Sequence, residues 1–257
     1  MMKQPLQEYF NFITETAYLA GRLTLGYFQT GVSVEVKGDQ SPVTVADRQA
    51  EELIRRRIEK RYPSHAIIGE EHGKKDSQAA QCWIIDPIDG TKSFMRGVPL
   101  YGVLIGLEID GRVEAGAAYF PALDEMVAAA SGLGCWWNGR RAAVSGVSKL
   151  EQAFLSCTDV GGFSKNNRRD VYDRLSQAVY FRAGWGDAYG YACVATGRAE
   201  LMLDPVMHVW DCGPFPVILR EAGGFFGDWR GNETIYGNEG MATTEALLPE
   251  VLRLING

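Results

Sequence analysis

The string Asp86-Pro87-Ile88-Asp89-Gly90-Thr91 follows directly on the apolar run Cys82-Trp83-Ile84-Ile85. A buried strand ending in two carboxylates, with Pro87 restricting the backbone between them, can present both to one cation. Gly90 and Thr91 then read as the opening of a short helix, whose free N–H groups suit an anion. An isolated D-x-x-D reads more readily as a turn in which the aspartates cap their own backbone. The whole six-residue string is far more specific.

Other carboxylates stand at comparable places. Glu70 and Glu71 end the short apolar run Ala66-Ile67-Ile68, where a carboxylate pair alone would be ordinary surface. Asp211 follows Trp210 before a helical stretch, so it reads either as a ligand or as an N-cap worth about 1 kcal/mol. Four carboxylates at strand ends and a helix start suit a hard cation such as Mg²⁺, which also binds phosphate oxygens. No cysteine or histidine pair has ligand spacing, so zinc and copper fit poorly. Two such ions can hold an attacking water and a leaving oxygen in line without a covalent nucleophile. His65, His72 and His208 therefore read as core or surface, and no Ser/His/Asp or Cys/His arrangement stands out.

Composition narrows the partners. The 257 residues are 46% hydrophobic and 23% charged, with 32 acidic against 26 basic side chains and a formal charge of -6. Such a chain has no broad basic field to recruit nucleic acid or an anionic membrane, so an anionic substrate needs metal ions or local donors. The five cysteines are odd in number and scattered, which predicts reduced thiols rather than a disulfide frame. No apolar run approaches the ~20 residues that span a bilayer. The chain reads as soluble and cytoplasmic.

The elements that must carry these residues follow from periodicity. Apolar spacing predicts a long amphipathic helix over 6–28 and a second over 45–61. Strands follow at 66–68, 82–85, 102–108, 113–119 and 126–130, with a turn at Asn138-Gly139. The later part alternates: a strand near 179–182, a helix over 188–196, a strand over 199–203, and a helix after Asp211. Without a linker or repeat, 1–257 reads as one catalytic unit of two fused halves, roughly 1–150 and 151–257.

Gly69-Glu70-Glu71, the Asp86–Thr91 string, Trp210-Asp211 and Glu221-Ala222-Gly223-Gly224 together resemble, in order and spacing, the inositol monophosphatase superfamily. The match runs from Lys37 and Thr44-x-x-Asp47 to the final glycine pair. The resemblance implies a mixed α/β fold, a layered α-β-α-β-α sandwich, usually a homodimer. It implies that Glu70, Asp86 and the Ile88 carbonyl bind one Mg²⁺ and that Asp86, Asp89 and Asp211 bind a second, with Mn²⁺ as a substitute. Glu70 would also orient water or a weaker third ion. Thr91, hydrogen-bonded to Asp47, would position and deprotonate the attacking water, and the Gly90 and Thr91 amides would hold the phosphate. One departure is Cys212-Gly213-Pro214-Phe215-Pro216, whose prolines put the helix start in question.

Substrate choice in the superfamily lies on the far side of the metals, in the segment matching Gly184-Trp185-Gly186-Asp187 and in the residue matching Asp204. Two carboxylates there favour a cation over a second phosphate. Gly186-Asp187-x-Tyr189-Gly190-Tyr191 resembles the histidinol-phosphatase branch, whose substrate carries an ammonium and an imidazole. Asp187 could instead cap a helix beginning at Ala188. Trp185 and Tyr189 could stack on the imidazole or belong to the core, and Arg182 could touch phosphate or serve structure. The leading expectation is hydrolysis of L-histidinol phosphate in histidine biosynthesis. The rivals are an inositol-1-phosphatase or broad sugar-phosphate phosphatase and, further off, a regulatory binding protein without catalysis.

Overall fold

The computed structural model describes residues 3–36 and 42–257. Lys37, part of the resembling segment, lies outside the described residues. The architecture is the layered sandwich implied by the resemblance.

One outer layer consists of the helices Lys3–Leu25 and Val45–Arg61. They lie on an eight-stranded sheet, antiparallel except where Ala66–Gly69 runs parallel to Gln81–Asp89. The side-chain period of two sorts this sheet between two cores. Trp83, Ile85, Val103 and Ile105 face the outer helices, joining Ile13, Ala17, Ile54 and Ile58. Ile84, Leu104 and Ala118 face inward, toward the helices Asp187–Ala195 and Phe215–Glu221. That inner core therefore draws on both halves of the chain. Beyond it lies a five-stranded sheet, covered on its far face by Arg169–Ala178 and Leu248–Asn256. Among the described residues no helix is long and apolar enough to cross a membrane.

Element positions follow the pattern with instructive shifts. The second helix runs Val45–Arg61 as its periodicity predicts, closed by a capping box between Thr44 and Asp47. The first ends at Leu25, three residues short of the predicted 28, in a run of turns. The hairpin strands Gly134–Trp137 and Arg140–Arg141, unread in sequence, flank the Asn138-Gly139 turn, both of whose residues have positive φ. The two prolines resolve by splitting the final helical stretch into Val209–Cys212 and Phe215–Glu221. Pro214 caps the second piece and Pro216 lies in its first turn, where no N–H is needed.

That break lies against the inner face of the large sheet at one particular place. Gly106 and Gly116 pair across adjacent strands, and a Cβ on Gly106 would stand 2.3 Å from the Gly213 carbonyl oxygen. A Cβ on Gly116 would stand 2.7 Å from Pro214 Cα. The paired glycines let the 213–214 backbone lie directly on the sheet, next to Asp211. Gly106→Ala must push that backbone away, an overpacking cost of about 1–3 kcal/mol. Thermal unfolding should register the loss, accompanied by a fall in activity as Asp211 shifts. An unchanged melting temperature would mean that the close approach is not structural.

Candidate active site

The strand Gln81–Asp89 is buried along most of its length, but its pairing with Gly102–Ile109 is interrupted near its end. Asp86 lies opposite Leu104 and Asp89 opposite Gly102, so the aspartate strand carries one extra residue. Pro87, which cannot donate to the ladder, sits inside this bulge, and bulges re-aim side chains. The chain then turns through Gly90, whose φ of +78° is left-handed, into the short helix Thr91–Met95. No side chain caps that helix.

Each carboxylate arriving at this point takes one backbone N–H. Asp86 Oδ1 accepts from Ile88 N at 3.0 Å. Asp89 Oδ1 accepts from Ala188 N at 2.7 Å, so a residue of the first half caps a helix of the second. Asp211 Oδ2 accepts from His208 N at 2.7 Å. Asp211 is thus the third residue of Val209–Cys212 and not its N-cap, a correction to the capping alternative. Oxygens of Asp86, Asp89 and Asp211 lie within 4.8 Å of one another. Glu70 and Asp211 line the same cleft, of about 860 Å³, together with Gly90, Thr91, Trp185 and Asp187.

Two expected arrangements differ. Thr91 Oγ1 donates to the Ile88 carbonyl at 3.1 Å rather than to Asp47. Asp47 is committed elsewhere: its Oδ2 accepts both the N–H and the hydroxyl of Thr44 in the capping box. Its buried Oδ1 has no hydrogen-bond partner. Asp204, read in sequence as a substrate contact, does not line the cleft. It is buried, accepting from Thr158 N at 3.0 Å, Thr158 Oγ1 at 3.1 Å and the Tyr191 hydroxyl at 3.2 Å. Burial pushes its carboxyl up to about 7.

Gly184, Trp185 and Asp187 also line the cleft, and this segment leads directly into the Ala188 N–H that Asp89 accepts. Trp185 is 53% exposed and has a φ of +61°, a strained value for a bulky side chain. Gly186 is buried against Met202 and faces away from this cleft. Asp187 begins the helix but does not cap it, since Asp89 holds the Ala188 N–H. Its Oδ2 instead accepts from Ser93 Oγ at 3.3 Å, and its N–H is bound by Thr158 Oγ1 at 3.0 Å. Tyr189 packs on Phe120, with its hydroxyl accepting from Arg198, and Arg182 reaches back to the Val179 carbonyl. Neither lines the cleft. Ser93 and Thr158 escaped the sequence reading. Ser93 stood two residues beyond Thr91, whereas Thr158 gave no local signal.

Burial raises the pKa values of Asp86 and Asp89 well above the usual carboxylate range, and the neighbouring carboxylates raise them further. Burial is also the main reason Asp211 is pushed up to about 6. A cluster of carboxylate oxygens in which Asp86 is buried and Asp89 and Asp211 are half-buried, with the Asp47 oxygen unpartnered, fits a hard divalent cation. These carboxyls keep protons in the folded chain that an unfolded chain, titrating near 4, releases. Their stabilising contribution is complete below about pH 4 and is lost as pH rises through about 6 for Asp211 and about 7 for Asp204. The melting temperature of chelated protein should therefore fall between pH 5 and about 7.5. Added Mg²⁺ should restore more of it at the alkaline end. A metal-free melting temperature that rises over this range would contradict the burial of the cluster.

The chain matches the inositol monophosphatase family model over residues 5–256. It is 42% identical to the histidinol-phosphatase of Chlorobaculum parvum over 230 residues, 89% of each chain. It is 31% identical to the inositol-1-monophosphatase of Mesorhizobium japonicum, over 94% of this chain and 93% of that one. Among solved structures, the extragenic suppressor protein suhB of Bartonella henselae superposes with a TM-score of 0.89 at 28% identity, covering 96% of this chain and 97% of that one. With Asp86, Asp89 and Asp211 clustered, and Asp211 and Glu70 lining one cleft, the chain belongs to the inositol monophosphatase family and is a phosphoric monoester hydrolase.

Proposed function

We propose that this enzyme hydrolyses L-histidinol phosphate to L-histidinol and phosphate, as a step of histidine biosynthesis. The observation that carries the reading is Asp187, a carboxylate lining the cleft one residue before the Ala188 N–H that Asp89 accepts, and following the exposed Trp185 indole by two residues. An anion there suits an ammonium, and an indole suits an imidazole ring. The histidinol-phosphatases among the relatives, from Chlorobaculum parvum and, at 34% identity, Mycobacterium tuberculosis, support the same choice.

In this reading Glu70, Asp86, the Ile88 carbonyl, Asp89 and Asp211 hold two or three Mg²⁺, with Mn²⁺ able to substitute. Bound divalent ions supply charge neutralisation for the phosphate and a water of lowered pKa. The chain's own groups do the positioning. Gly90 and Thr91 offer uncapped amides to phosphate oxygens, and Glu70 and Thr91 orient the attacking water. As the water oxygen bonds to phosphorus and the water gives up a proton, the bond from phosphorus to the ester oxygen breaks, and that oxygen takes up a proton and leaves as the hydroxyl of histidinol. Asp187 and Trp185 hold the departing alcohol. Neither a nucleic acid nor a membrane has a part in this reading, and a cytoplasmic homodimer is the form we assign to it.

Exhaustive chelation should abolish phosphate release, and readdition of Mg²⁺ should restore it. Asp86→Asn, Asp89→Asn and Asp211→Asn should each lower turnover by orders of magnitude in protein that remains folded. Full activity after chelation would overturn the metal-dependent reading.

Substrate choice is tested by phosphate release from histidinol phosphate, inositol 1-phosphate and an adenosine bisphosphate side by side. A charge-assisted hydrogen bond is worth about 1.5–3 kcal/mol, so Asp187→Asn should lower kcat/KM for histidinol phosphate roughly 10- to 150-fold. Glycerol phosphate, which has no cation, should be hydrolysed nearly as before. Equal losses on both substrates, or a native preference for inositol 1-phosphate, would return the enzyme to a general sugar-phosphate phosphatase.

A further inference from the structure

Glu51 is fully buried on the helix Val45–Arg61, one turn beyond Asp47, and it does not line the cleft. Its carboxylate nevertheless reaches the loop that carries Glu70. Oε2 accepts from Glu71 N at 2.7 Å, and Oε1 accepts from His72 N at 3.2 Å. Arg55 closes the arrangement, donating Nε to Glu51 Oε1 at 2.6 Å while its other arm binds the Gly73 carbonyl. From the opposite side, Glu70 N donates to the Ile85 carbonyl at 3.2 Å, one residue before Asp86. The Glu70 peptide is thus gripped between the aspartate strand and a buried ion pair.

Gly69 makes the approach possible. A Cβ there would stand 2.2 Å from Glu51 Oε1. Neither Glu51 nor Arg55 is needed in the hydrophobic core, where an aliphatic side chain would bury at lower cost. The charge is retained at a place where it orders backbone N–H groups next to the site.

We infer that Glu51 is a positioning residue, which, backed by Arg55 and admitted by Gly69, fixes Glu70 at the metal side of the cleft. The inference rests on Glu70 acting on that side and not on the identity of the alcohol. Groups that orient metal ligands from behind commonly change metal affinity or activity 10- to 100-fold when replaced.

The test is calorimetric Mg²⁺ binding to the full-length protein, with thermal unfolding and steady-state kinetics on the same preparations. Glu51→Gln keeps the volume but loses the charge and one acceptor. It should raise the Mg²⁺ dissociation constant about 10- to 100-fold and lower kcat at fixed Mg²⁺, with substrate KM little changed. Gly69→Ala, which displaces the same carboxylate, should behave alike, and it carries the test if Glu51→Gln does not fold. Arg57→Ala, on the same helix but bonded to Glu15 and Thr16, should lower the melting temperature without weakening Mg²⁺ binding. Glu70→Gln supplies the benchmark. If it binds Mg²⁺ like the native protein, the role of Glu70 itself fails. If it binds weakly while folded Glu51→Gln and Gly69→Ala bind normally, the positioning role fails. An equal weakening in Arg57→Ala would reduce the effect to general destabilisation.

Discussion

Like charges held close together in a low-dielectric interior are what the rest of this molecule must accommodate. The oxygens of Asp86, Asp89 and Asp211 approach within 4.8 Å, where two unit charges repel by about 3–4 kcal/mol at an effective dielectric constant near 20. Burial adds a desolvation cost to each. The protein offsets part of this with three separate backbone N–H groups, one per carboxylate, from Ile88, Ala188 and His208. Each bond also fixes its carboxylate in direction. Such preorganisation is what makes electrostatic stabilisation of a transition state effective.

The three donors come from different parts of the chain, and this makes the site a product of docking. Asp86 is held within its own bulge, but Asp89 is held by the first turn of Asp187–Ala195, in the other half. Asp211 arrives on a helix whose continuation lies against paired glycines of the large sheet. Away from the cleft, Arg198 ties the halves together, stacked at 4.5 Å on Trp137 and 5.1 Å on Tyr189 while paired with Glu125. Cluster geometry and the seam between the halves are therefore one mechanical problem. A change such as a Cβ at Gly106 touches no carboxylate and yet reaches Asp211 through the backbone.

Which parts of this were legible in the sequence follows from the range of each interaction. Helix Val45–Arg61 and the main strands could be read because their apolar periods are local, and the Asp86–Thr91 string announced itself by chemistry and spacing. Partners contributed by distant segments left no local trace. Thr158 beneath Asp187 and Ala188 on Asp89 become visible only once the chain is folded. Asp204 shows the same limit from the other side. Its place in the motif suggested substrate, whereas its side chain turns inward to Thr158 and Tyr191. The prolines at 214 and 216 were ambiguous for a simpler reason: one continuous helix and two short ones share the same apolar pattern, and only the break decides.

The carboxylates around the cleft are held by different means, and the difference bears on how an enzyme of this kind changes substrate. The three aspartates are pinned by backbone N–H groups, which no substitution short of proline removes. Asp187 is held by the hydroxyls of Ser93 and Thr158, with the buried Asp204 behind Thr158. Trp185 keeps its position through a left-handed backbone flanked by Gly184 and Gly186. Each of those features is a side chain or a strained local turn rather than a ladder bond of the large sheet. Relatives named for histidinol phosphate and for inositol 1-phosphate match this chain over most of its length. Aspartates held by backbone N–H groups, with Asp187 held beside them by side-chain hydroxyls, are a physical arrangement under which both specificities can arise from one fold.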